Sequence, residues 1–586
     1  MLGEVIVLDD TGPARRGRAY PNAWTALALL LPVALLLGGF VLWPILRTLI
    51  ASVTDAGDGG LEFVGLEHFR DVLDAEDAWR VIGRTLLWAV VVPAVVTVLG
   101  YALAVASQPS RRGRLSLLVL VTPVAIPLVV TGVAFRLMYE GDPERAIIPA
   151  MASRLFGEAP VFLGPGLITV SLMSAFVWAW IGLAVMLFRA ALAAIPQGLS
   201  DVVHAHGGTR WNVFHDAQWQ PLLRRTVAVV FAFVAVGTAR SFDLILIMAP
   251  GSVWPEASVL ALRVWQTSGA STTGPGAALG VIWLAAVAVG AAVAALGIRQ
   301  PWPAPFSRRS VDSPTTQRPV TSASRRAVCR AMLILASIAW ILPLTTLVAT
   351  SLHSPTDAAT RGWWTAAVRL DSYQGLLERL PRSLGFTLLL ATAVTVVVLV
   401  VAVLAAHPLA WLAGSSAQGV SVLLLAAAVV PIQVIAGPVN AALAAVGLAG
   451  SAPGLALVHV ALGAPFAVLV LRNAFADLPA AEVRRARLSG RGELATVWRL
   501  VRRAAPTVVA VGVLQFVKVW NDLAVGLLFS GPDAPVGLLL YGEARQFVVN
   551  SGPLAASSVI VSILPVLLVV LTRRHVVAGL VTGVVK

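Results

Sequence analysis

The chain has 586 residues, of which 58% are hydrophobic and only 12% charged, against roughly 25% charged in soluble domains. That leaves too little polar side chain to cover a water-soluble globule of this length. The formal net charge of +14 does not point to nucleic acid, because the basic residues lie in short stretches between apolar runs, where topology signals belong.

Nearly all the cations are arginine, Lys518 and Lys586 being the only lysines. The single cysteine, Cys329, excludes a disulfide framework and a Cys-based metal site. A polar tail over 1–23, with Arg15, Arg16 and Arg18, leads into an apolar run from Trp24. That run exceeds a signal-peptide core and has no convincing small-residue cleavage site, so a retained first helix is expected.

About 20 apolar residues are needed to cross the hydrocarbon layer. Such runs lie near 24–46, 84–106, 115–139, 165–188, 226–248 and 276–298, and again near 328–350, 385–406, 419–444, 454–471, 507–529 and 555–572. The fold class expected is therefore an all-α polytopic membrane protein with about 12 transmembrane helices in two six-helix halves, 24–298 and 328–586. Pro431, Gln433, Pro438 and Asn440 make 419–444 a candidate broken helix.

The linker 299–327 and the residues just after it carry Arg299, Arg308, Arg309, Arg318, Arg325, Arg326 and Arg330 against Asp312 alone. Its Pro, Ser and Thr content suits a solvated connector. The loop 50–82 is the reverse, with Asp55, Asp58, Glu62, Glu67, Asp71, Asp74, Glu76 and Asp77 against Arg70 and Arg80. The positive-inside rule then puts the linker, both termini, the Arg111–Arg114 turn, the 472–503 loop and the Arg573–Arg574 tail in the cytoplasm. The 352–383 loop, with four arginines on the outside, fits this scheme poorly.

The halves repeat one another. Each has a long inner loop between its fourth and fifth runs, opening at Ile195-Pro196 and at Leu478-Pro479. Glycine follows eleven residues after each proline, at Gly207 and Gly490, and each loop closes at a proline, Pro221 or Pro506. Matched spacing at matched positions implies a parallel duplication about an axis along the membrane normal. Each loop reads as a helix, a glycine turn and a second helix outside the membrane. Resting on lipid headgroups would explain neither the duplication nor the spacing, whereas docking on two equal partners explains both.

These loops resemble the EAA coupling motif of permease subunits of bacterial ATP-binding-cassette (ABC) importers. In that register Asp201 and Arg484 stand where the motif has glutamate, and His206 and Ser489 stand where it has aspartate; the prolines and glycines match. Leu42-Trp43-Pro44-Ile45-Leu46-Arg47 and Phe63-Val64-Gly65-Leu66-Glu67-His68-Phe69 resemble the start of the first permease subunit of maltose-type sugar importers. Arg240-Ser241-Phe242-Asp243 falls at that subunit's polar-aromatic break, and Val430-Pro431-Ile432-Gln433 and Val519-Trp520-Asn521-Asp522 resemble the partner subunit. The resemblance covers about 24–298 and 328–575 and implies two permease subunits fused in one chain of a bacterial plasma membrane. It also implies two copies of an ABC ATPase on the cytoplasmic face and an extracytoplasmic substrate-binding protein. No cofactor is expected in this chain, since neither lysine lies in a G-x-x-x-x-G-K-[S/T] loop and ATP would be used by the partner subunits.

Polar groups inside apolar spans are costly and usually face a cavity. Arg240, Ser241, Asp243, Gln433, Asn440, Asn521 and Asp522 are the candidate pathway, with Trp520 as a possible platform for a sugar ring. The alternative for these residues is structural: an Arg240–Asp243 pair, and Asn521 and Asp522 bonding neighbouring helices. His204, His206 and His215 lack metal-binding spacing on a common helix face. Iron, thiamine or polyamine cargo remains open within the same machine. An ion-coupled secondary transporter would need embedded carboxylates, for which only Asp243 and Asp522 qualify, and a membrane enzyme would need a paired His/Asp cluster at the membrane edge.

Overall fold

The computed structural model describes 23–298 apart from 58–59, 108–115, 118, 196–201, 204, 213, 216–218, 220–222, 241 and 268–273, then 323–479 apart from 412–414, and 492–583 apart from 547–549. The first span runs from α1 (Ala23–Leu37) through a π-helical turn, Gly38–Leu42, into α2 (Trp43–Ala51). A hairpin follows, β1 (Thr54–Gly57) with β2 (Gly60–Phe63), paired Thr54 to Phe63 and Asp55 to Glu62, and then α3 (Glu67–Asp74). The main helices in the rest of the first half are α4 (Ala78–Ala106), α5 (Leu128–Tyr139), α6 (Ile147–Phe156), α7 (Ile168–Ala194), α8 (Arg224–Arg240), α9 (Asp243–Met248) and α10 (Gly274–Ile298).

The second half has α11 (Ala323–Ser351), α12 (Leu376–Trp411), α13 (Ser415–Val429), α14 (Ile432–Ala445) and α15 (Ala452–Ala476). It ends with α16 (Glu493–Arg503), α17 (Ala505–Trp520), α18 (Ala524–Phe529) and α19 (Ser551–Gly583). Helix α11 already begins at Ala323, inside the segment expected to be linker.

The protein is an all-α polytopic membrane protein. Among the described residues eight helices are long and apolar enough to cross a membrane, and two bent pairs raise the number to at most ten. The expected twelve are not reached because two apolar runs are not continuous helices. The 115–139 run is interrupted by a 3-10 turn at Thr122–Ala125 ahead of Pro127, and the 226–248 run divides between Arg240 and Asp243. The break expected in 419–444 is present, with α13 and α14 meeting at 92° at Pro431. Helix α16 meets α17 at 83° and is amphipathic, burying Thr496, Val497 and Leu500 while exposing Leu494 and Trp498. It is a surface helix leading into a span rather than part of one.

The two halves pack reciprocally. The first span of each lies on the second and third spans of the other: α1 on α12 and α2 on α14, α11 on α4 and on α5. Thr48 Oγ1 donates to the Val434 carbonyl at 3.0 Å. Trp178 and Trp340 each donate an indole N–H to the other's carbonyl, at 2.9 and 3.3 Å. Within a half, small residues let backbones close up; a Cβ on Gly100 of α4 would lie 2.6 Å from that of Ala184 on α7.

The ill-fitting 352–383 loop packs on the first half's 140–146 turn. Arg145 donates to the Ala359 carbonyl at 2.7 Å, and the Gly362 N–H to that of Glu144 at 2.8 Å. Three of its arginines pair with carboxylates of the second half itself, Arg361 with Asp357 at 4.0 Å, Arg369 with Asp371 at 3.8 Å and Arg382 with Asp533 at 2.7 Å.

Candidate translocation pathway and docking loops

Proline creates the site. Pro127 and Pro431 lack the N–H that would continue their helices, and each forces the chain into an extended step before a new helix starts. The turns before them keep carbonyls with no intrahelical donor. A side chain from the fifth span of the opposite half fills each vacancy. Arg240, at the end of α8, donates to the Ala428 carbonyl at 3.1 Å. Asn521, at the end of α17, donates to the Ala125 carbonyl at 3.1 Å. The fifth spans are themselves broken at these residues, α8 from α9 and α17 from α18. Four helix breaks, two per half, thus meet across the interface.

Charge collects at this crossing. Arg240 and Asp243 come from the first half, Lys518 and Asp522 from the second, and Asp522 lies within electrostatic reach of the other three. The Asp522 carboxylate accepts from the backbone N–H groups of Val525 and Gly526 at 2.8 and 3.2 Å, at the start of α18. Lys518 donates to the Leu462 carbonyl at 2.9 Å. Asp243 Oδ1 is buried and has no hydrogen-bond partner among the described residues, and no ion pair joins Arg240 to Asp243 there. The i, i+3 pairing open to them on a helix is lost because Phe242 is not helical. All four residues, and Asn521, keep accessible surface although they sit deep among the helices. They therefore lie deep in the bundle without being sealed off.

Other candidates are placed differently. Trp520 is buried, donates its indole N–H to the Val561 carbonyl at 3.0 Å and stacks on Phe516 with centroids 5.8 Å apart, so it is packing and offers no face to a ring. Gln433 is buried in α14, and Asn440 ties α14 to α18 through the Leu528 carbonyl at 3.0 Å. Ser241 lies outside the described residues. Lys518 was missed from the sequence, though one of only two lysines, set inside an apolar run, is itself a signal.

Of the docking-loop residues, Pro196, Asp201, Arg484, Ser489 and Gly490 lie outside the described residues. Gly207 has φ of +77°, and the Gly208 N–H reaches back to the Val203 carbonyl at 2.9 Å. This closure of a helical turn needs a residue free to adopt positive φ. Thr209 then starts the next turn, its N–H donating to Asn212 Oδ1 at 3.0 Å and its hydroxyl accepting from the Asn212 N–H at 3.3 Å. His206 bonds the Val202 carbonyl at 2.8 Å, and Pro479 is exposed at the end of α15.

No protein-family model matches the chain. The osmoprotective-compound uptake permease GgtD of Synechocystis is 31% identical over 262 residues, covering 42% of this chain and 88% of GgtD. This chain belongs to the carbohydrate-uptake type of ABC importer permeases. The α-glucoside transport permease AglF of Rhizobium meliloti is 25% identical over 274 residues, covering 46% of this chain and 81% of AglF. A nearly full-length permease therefore occupies less than half of this chain, as two fused permease subunits require. A bacterial alginate ABC transporter, solved with an alginate pentasaccharide-bound periplasmic protein, aligns with TM-score 0.40 and 19% identity over 47% of this chain and 94% of its own.

Proposed function

We propose that this permease carries a sugar through the cavity walled by Arg240, Asp243, Lys518, Asn521 and Asp522. The observation that carries the reading is that both halves deliver hydrogen-bonding side chains, through paired helix breaks, to one accessible place inside the bundle. Carboxylates, an amide and cations suit a ligand covered in hydroxyls, each of which both donates and accepts. The names of relatives support the cargo class: AglF is an α-glucoside permease and SugB of Mycobacterium tuberculosis a trehalose permease.

In this reading 24–298 and 328–586 are the two permease domains, 299–327 is a cytoplasmic linker, and both termini are cytoplasmic. Two ABC ATPase subunits dock under the loops from Pro196 to Gly207 and from Pro479 to Gly490, and an extracytoplasmic binding protein delivers the sugar. The test is reconstitution with the ATPase and binding protein, followed by ATP-dependent uptake of labelled α-glucosides, trehalose, thiamine, spermidine and ferric iron. Uptake of a sugar alone supports the reading; uptake of one of the others, or uptake driven by an ion gradient without ATP, refutes it.

A further inference from the structure

The duplication extends to a contact that the spacing of prolines and glycines does not announce. Arg189 on α7 stands seven residues before Pro196, and Arg472 on α15 stands seven before Pro479. Both guanidinium groups reach the C-terminal end of the second span of their own half. Arg189 bonds the Ser107 carbonyl and, at 2.9 Å, the Ser107 hydroxyl, and Ser107 caps α4. Arg472 bonds the carbonyl of Leu409, in the last turn of α12, at 3.4 Å. The last carbonyls of a helix have no intrahelical donor and carry the negative end of its dipole. A cation there is favourable, and it joins the two helices at the end of the bundle where the docking loop begins.

The second half adds a contact at the loop's exit. Glu493, first residue of α16, bonds His407 Nε2 at 3.0 Å, and His407 is fully buried in α12 two residues before Leu409. At the matching offsets, three residues past the glycine and two before the capped carbonyl, the first half has Arg210 and Val105. No carboxylate–imidazole contact can form from that pair. The loop of the second half is thus held to its second span by polar contacts at both ends, whereas in the first half the later contact among the described residues is aromatic, Phe214 lying edge-on to Tyr101 of α4 with centroids 6.5 Å apart.

We propose that Arg189 and Arg472 are positioning residues that carry motion of each docking loop to the second span of its own half, and that His407–Glu493 adds a second polar link for that motion in the second half. The proposal rests on the importer reading above. It is tested on the full chain in complex with its ATPase, with Cys329 replaced by serine and spin labels on cysteines at Leu335 of α11 and Val400 of α12, both exposed on the outside of the bundle. ATP with vanadate should change the distance between labels in the parent protein.

In R472A the change should be lost while the ATPase stays bound and hydrolyses ATP within twofold of the parent, and R472K should restore at least half of it. E493Q should give an intermediate change. A full distance change in R472A overturns the proposal, as does an equal loss of ATPase binding in R472A and R472K. Absence of any bound ATPase in the parent complex overturns the importer reading itself and takes this link with it. Should R472A fail to melt cooperatively, R472Q and E493Q are judged by the same distance change, and two unaltered changes overturn the proposal.

Discussion

The fifth spans of the two halves break at corresponding places, and each sends one side chain to a carbonyl exposed by a proline in the other half. What surrounds the two breaks differs. Asp522 is held by two backbone N–H groups at the start of α18, whereas Asp243 has an oxygen without a hydrogen-bond partner among the described residues. The second half therefore holds its carboxylate by its own backbone, and the first half leaves a buried carboxylate oxygen unsatisfied among the described residues. Similar backbone geometry surrounds one carboxylate that is tied down and one that is not.

Removing the fixed carboxylate should do the most damage. D522A leaves the N–H groups of Val525 and Gly526 without their acceptor, at a cost of about 1–3 kcal/mol for each buried group left unpaired, and removes a negative charge within reach of Arg240 and Lys518. Uptake should fall by about a hundredfold, and D522N should recover part of it by keeping an acceptor oxygen. D243A, which strips no donor among the described residues, should reduce uptake by about tenfold, equivalent to about 1.4 kcal/mol. Initial rates in proteoliposomes decide this; equal losses for the two would erase the distinction between the carboxylates.

The crossing hydrogen bonds come next. R240A removes a charged donor, worth about 1.5–3 kcal/mol, and N521A a neutral one, worth about 1 kcal/mol. Chemical unfolding in detergent should rank them in that order. A smaller effect is expected in the docking loops, where valine at Gly207 must adopt φ of +77° at about 1–3 kcal/mol. G207V should lower ATPase co-purification several-fold with the membrane part still folded, and G490V should do the same if the second loop turns alike. Smallest of all, W178F and W340F each delete one indole hydrogen bond between the halves. Each should cost under about 1.5 kcal/mol, with the shorter bond of Trp178 mattering more.

Much of the fold was legible because hydropathy is a local property. Ten residues of apolar composition on either side of a position decide whether it lies in lipid, whatever the rest of the chain does. The proline in 419–444 announced its own break, since a missing N–H acts on its immediate neighbours. The same signal stands at Pro127, inside a run that composition alone presents as one continuous span. Rare polar groups in apolar surroundings were legible in the sequence, and four of them, Arg240, Asp243, Asn521 and Asp522, lie together in the fold. Trp520 misled because an aromatic beside an amide looks the same in sequence whether it faces a cavity or, as here, packs on Phe516 and donates to Val561.

The sequence alone was enough to place this chain in a membrane, to show two similar halves, and to find one proline-to-glycine spacing shared by a loop of each half. Those properties follow from composition, period and spacing along the chain. Only the tertiary structure decided that the halves interlock, first span of one on second and third spans of the other. It also decided that Arg189 and Arg472 cap the second spans, and that Lys518 joins the charged group. The reason is geometric. A helix break creates an unsatisfied carbonyl locally, but which donor reaches it depends on helices hundreds of residues away, as with Asn521 and Ala125.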